Sequence, residues 1–186
     1  VLVYSALFAQ SNEDKKTVFQ LSFVPPLSTN GAYSHQYTNT VSLNLLVGIS
    51  RNEEAFTWGG ISNIILNDAK GFQMAGLSNY VGNDGQGVQS AGLANINKNK
   101  FSGFQMAGLA NTASEMTGFQ FAGLVNIAKE VNGLQVAGLV NIAKEVNGVQ
   151  FAGLVNIADK SDCPIGLINI IKNGELLSLM MHWEVR

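Results

Sequence analysis

From about residue 56 to residue 171 the chain alternates between two kinds of position at a period of two, in blocks of roughly ten residues parted by short polar connections. In the block that begins at Gly118, one face carries Gly118, Gln120, Ala122, Leu124 and Asn126. The other carries Phe119, Phe121, Gly123, Val125 and Ile127. A period of two belongs to extended chain, whose successive side chains point to opposite sides, and not to a helix. The flanks alternate as well: Phe19, Leu21 and Phe23 oppose Gln20 and Ser22, and Leu177, Leu179, Met181 and Trp183 oppose Ser178, His182 and Glu184. The pattern predicts strands near 17–24, 41–50 and 56–66, one in each of the central blocks, and further strands at 163–171 and 175–186.

The central blocks are copies of one unit, G-x-Q-x-A-G-L-x-N. It begins at Gly71, Gly87, Gly103, Gly118, Gly133 and Gly148, with spacings of 16 and then 15 residues. Weaker copies stand at Trp58–Asn63 and Pro164–Asn169. Self-similarity at a fixed short period is the signature of a repeat-built fold. The fixed face holds Gln73, Gln89, Gln105, Gln120, Gln135 and Gln150, and with them Asn79, Asn95, Asn111, Asn126, Asn141 and Asn156. The opposite face varies among apolar and small residues around a fixed central glycine.

Charge is confined to the connections. No Asp, Glu, Lys or Arg falls within the repeated blocks, while Asp84, Lys98, Lys100, Glu115, Lys129, Glu130, Lys144, Glu145, Asp159 and Lys160 lie between them. Uncharged strands of about ten residues, apolar on one side and amide-bearing on the other, are what an outer-membrane barrel requires. The leading expectation is therefore all-β, an antiparallel outer-membrane-type β-barrel of about 10–12 strands, with the variable face on lipid and the Gln and Asn residues lining the lumen. Bacterial barrels normally have an even strand number, so either one predicted segment is not a strand or residues 25–40 contain another. The alternative is a parallel β-solenoid with 15-residue rungs, in which equal positions stack and the same Gln and Asn residues form ladders.

Composition narrows the function classes. Only 13% of residues are charged, about half the ordinary share, which argues against a disordered chain. A net charge of −2 without a basic cluster gives no footprint for nucleic acid. Cys163 stands alone, so neither an intrachain disulfide nor a cysteine zinc site can form. The apolar run Val1–Ala9, followed by Gln10 and the polar Ser11–Lys16, reads as the remnant of a secretory signal peptide cut after Ala9. Residues 10–186 then form a single repeat-built β domain, exported and in contact with membrane lipid.

Candidate chemistry is thin. The histidines are His35, in a loop-like segment, and His182, on the predicted last strand. Ser178, His182 and Glu184 share one face, but four residues along a strand separate Ser178 from His182 by roughly 13 Å, too far for a nucleophile and its base. Repeated small pairs such as Ala75–Gly76 fall mid-strand, whereas a phosphate-binding glycine loop must open a helix. The expectation is a protein with no enzymatic activity, no metal and no cofactor.

The repeat, preceded by Phe19-Gln20-Leu21-Ser22-Phe23-Val24-Pro25-Pro26-Leu27-Ser28-Thr29-Asn30-Gly31, resembles uncharacterised surface-repeat proteins of Gram-negative bacteria. The resemblance implies export and an outer-membrane or cell-surface address, and no activity. Function is expected to be structural or pore-like on a barrel, or adhesion and interaction on a solenoid.

Overall fold

The computed structural model describes residues 15–173 and the backbone of His182–Glu184. The signal-peptide remnant at 1–9 and most of the predicted strand at 175–186 lie outside the described residues.

The chain is a parallel β-solenoid of two facing sheets, and the antiparallel barrel is overturned. Among the described residues one sheet has 11 strands and the other 10, and in each sheet successive rungs stack in chain order. One rung comprises a long strand, Glu115–Ala122, in the first sheet and a short one, Val125–Ile127, in the second. The next comprises Glu130–Ala137 and Val140–Ile142. Gln120 pairs in register with Gln135, Ala122 with Ala137 and Asn126 with Asn141, all in parallel. In a barrel Gln120 would face the far end of the next strand. Here the chain returns through the second sheet, so consecutive long strands run the same way.

What the alternation presented as one strand is thus two, joined at a corner. The Gly-Leu pair of each repeat makes that corner, and Leu124 is 40% exposed instead of lying on the inner face with Gln120 and Asn126. A Cβ on Gly123 would strike the carbonyl oxygen of Gly108, the equivalent glycine one rung back. Only glycine lets the corners stack at the strand-to-strand spacing of about 4.8 Å. Gly118 is fixed for a second reason. It sits inside the long strand with φ +116°, and its Cβ would meet the carbonyl oxygen of Gly103.

The other corner, Ala128-Lys129-Glu130, carries the charge outside and apolar side chains inside. Met116, Ala128, Val131, Ala143 and Val146 belong to a buried cluster running along this side of the solenoid. Ion pairs Lys100–Glu115 at 2.8 Å and Lys160–Glu145 at 3.9 Å link neighbouring rungs on the surface. Exposed pairs of this kind contribute no more than about 1 kcal/mol each, so the inner packing holds this edge.

At the N-terminal end, segment 25–40 supplies a two-residue strand, Leu27–Ser28, antiparallel to Lys15–Val24. A 3-10 helix, Gly31–Gln36, follows and lies against Val47–Ser50, the first strand of the second sheet. The predicted strand 41–50 is divided between Tyr37–Asn44 and Val47–Ser50, again by a corner.

Candidate functional site

The residues singled out from the repeat form two ladders inside the solenoid, and all twelve side chains are fully buried. Each glutamine donates from Nε2 to Oε1 of the glutamine one rung back, as from Gln120 to Gln105 at 2.8 Å and from Gln135 to Gln120 at 2.8 Å. The ladder runs from Gln73 to Gln150. It stops where the register places Thr57 before it and Pro164 after it. Gln73 Nε2 and Gln150 Oε1 are consequently left without partners at its two ends.

The asparagine ladder runs the other way. Asn111 Nδ2 donates forward to Asn126 Oδ1, and Asn126 Nδ2 to Asn141 Oδ1, each at 3.0 Å. The same nitrogens also reach main-chain oxygens of the following rung, Phe121 O and Val136 O, both at 2.7 Å. That second contact fixes which end of the amide is nitrogen. The asparagine ladder extends beyond the six full repeats, from Asn44 and Asn63 to Asn169. Two rows of amide dipoles with opposite senses lie side by side, so their fields along the axis largely cancel. Between the unpaired ends at Gln73 and Gln150 the amides of both rows are hydrogen-bonded, with opposed dipoles that largely offset one another.

One inner carboxylate breaks the amide pattern. Glu53 is buried in the third long strand, Asn52–Gly59, and its Oε1 accepts from Asn39 Nδ2 at 3.0 Å and Ser42 Oγ at 2.8 Å. It fills the space left where the glutamine column shortens to Ser42 and Thr57. The sequence pattern does not reveal it, since the predicted strands end at residue 50 and resume at 56, leaving Asn52-Glu53-Glu54 between them. Burial pushes its carboxyl above the ordinary value of 4.5, and the bonds from Asn39 and Ser42 oppose this without cancelling it. The folded chain then holds a proton that the unfolded chain has released. Stability is full below 4.5 and declines as pH rises through the elevated folded value. Glu53→Gln is expected to raise the melting temperature at pH 8, with the advantage vanishing towards pH 4. Thermal melts at both pH values check it, and an equal shift at each would contradict it.

The outer surface exposes many large apolar side chains. Two columns of apolar side chains run along the first sheet. One passes through Phe72, Val88, Phe104, Phe119, Leu134 and Val149; the other passes through Met74, Ser90, Met106, Phe121, Val136 and Phe151, with Ser90 as its one polar member. The rings of Phe104 and Phe121 stack at 5.2 Å. Beside these columns stands the corner row Leu77, Leu93, Leu109, Leu124, Leu139 and Leu154, each more than a third exposed. Round that corner, the short strands turn Val125, Val140 and Val155 outward.

No protein-family model, curated protein or solved structure matches the chain. Among the described residues no group of three or more His, Cys, Asp or Glu side chains is placed to hold a metal ion. A hollow of about 240 Å³ beside Glu53 is lined by Lys16, Glu54, Asp68 and Lys70, a mixture of both signs.

Proposed function

We propose that the chain is a non-enzymatic surface module: a stiff solenoid that presents one long apolar surface for interaction. The observation that carries this reading is the contiguity of the outer apolar columns and the leucine row over successive rungs. Contiguous apolar surface on this scale marks an interaction site, since water-exposed monomers seldom carry it. The division of labour within the repeat supports the same reading. Fixed amides and glycines maintain the stacking, while the outward positions vary among apolar and small residues, Ser78 and Ser90 included. A stacked array of this kind offers an extended surface and not a pocket. Resemblance to surface-repeat proteins of Gram-negative bacteria, and the export-like start at 1–9, favour a cell-surface or outer-membrane address.

The address is tested with Lys144→Cys in a Cys163→Ser background, made in the full-length gene and expressed in a Gram-negative host. A membrane-impermeant maleimide is expected to label position 144 on intact cells. Labelling that appears only after lysis would sink the surface assignment.

A further inference from the structure

Each rung changes character from one edge to the other. At the charged edge the arrangement is that of a protein in water: Met116 and Val131 inside, Lys129 and Glu130 outside. At the leucine edge it is inverted. Gln120 and Asn126 are inside and hydrogen-bonded, while Phe121, Leu124 and Val125 face outward. Apolar outside with paired amides inside is the arrangement suited to lipid. Between the two, Thr117, Asn132 and Asn147 form a neutral polar band on the long face.

We propose that the leucine edge inserts into one leaflet of a lipid bilayer, with the charged edge left in water. The proposal rests on the surface-module reading and names its partner as the acyl layer of a membrane. Three further observations fit a leaflet. The backbone of this corner is already satisfied: Gly123 N and Leu124 N donate to Ala107 O and Leu109 O, each at 3.1 Å, so this corner brings no orphan donor into hydrocarbon. The long face from the polar band at Thr117 to the corner spans five residues, roughly 17 Å, against about 15 Å for the hydrocarbon of one leaflet. Finally, the change from charged to apolar occurs on both sheets around the same edge. A second copy packed on the first sheet would cover one face and leave the leucine row and the valine face in water. A leaflet covers all three. The charged edge carries both signs in adjacent rungs, so attachment depends on apolar burial and not on anionic headgroups.

The test uses the full chain in the Cys163→Ser background, with an environment-sensitive fluorophore at Leu124→Cys or at Lys129→Cys, and vesicles of pure phosphatidylcholine. The Leu124 label is expected to shift to the blue on addition of vesicles and the Lys129 label to remain in water. Adding anionic lipid or raising salt should change vesicle flotation less than about twofold. Leu109→Asp, Leu124→Asp and Leu139→Asp together, all at exposed corner positions, should weaken flotation by about a hundredfold or more with the β circular-dichroism signal retained. A Leu124 label that stays in water with vesicles present overturns the proposal. So does one that becomes dry with rising protein concentration alone, which would assign the edge to a second copy. Failure here with position 144 still labelled on intact cells removes the lipid edge and leaves the surface module. Position 144 shielded until lysis removes the surface module, whatever the vesicles report.

Discussion

Replacing Gly118 by alanine is expected to destabilise the solenoid by more than about 3 kcal/mol. Two independent costs add. A φ of +116° is a conformation that L side chains rarely adopt, and the added methyl points along the axis into the carbonyl oxygen of Gly103. Relaxing the clash means separating two rungs, and separation breaks the long-strand pairing of Lys100–Ala107 with Glu115–Ala122. Each rung touches only its neighbours, so the damage should be local. Hydrogen exchange is expected to accelerate most at the rungs on either side of residue 118, with the melting temperature falling sharply. Thr117→Ala, one residue away and exposed, should cost less than about 0.5 kcal/mol.

Asn126→Ala should cost about 3–5 kcal/mol, although it removes a small side chain and introduces nothing that clashes. Three hydrogen bonds depend on this amide: it accepts from Asn111 Nδ2 and donates to Asn141 Oδ1 and to Val136 O. Asn111 Nδ2 keeps its bond to Phe121 O. Asn141 Oδ1 and Val136 O lose the donor supplied by Asn126, and a cavity is left beside them. Asn132→Ala provides the comparison. Its side chain is exposed and its bond with Asn147 is made on the surface, so chemical denaturation should show a change below about 0.5 kcal/mol.

Much of this was legible in the residues. Alternation identified strands, the spacing of Gly71 to Gly148 identified a repeat, and the confinement of charge located one connection of each rung. The fixed glutamines and asparagines could be assigned to one face because alternation at a period of two survives into both sheets. Strand direction was not legible. A barrel strand on lipid and the leucine-edge half of a solenoid rung have the same binary pattern, amides in and apolar out, so the pattern alone selects neither. The decisive feature is the Gly-Leu corner, hidden because Ala122 and Asn126 remain in phase across it while Leu124 turns outward. Its signal was the invariance of Gly123 on a face that otherwise varies. A residue needed only to contact lipid has no reason to be fixed. Glu53 lay beyond sequence reasoning, since its burial follows from the shortening of the glutamine column to Ser42 and Thr57, a register that no local pattern specifies.

Parallel, in-register stacking of the repeats is the claim on which everything else depends. Cysteine pairs on the exposed polar band test it without disturbing the interior. Thr117 is in register with Asn132, and Asn132 with Asn147. Neighbouring Cα atoms at about 4.8 Å lie within the range a disulfide bridges. In a Cys163→Ser background, Thr117→Cys with Asn132→Cys, and Asn132→Cys with Asn147→Cys, are each expected to crosslink rapidly and nearly completely under mild oxidation. Crosslinking of a cysteine at 117 to one near Ile142, with none at 132, would mean antiparallel neighbours and would contradict the solenoid.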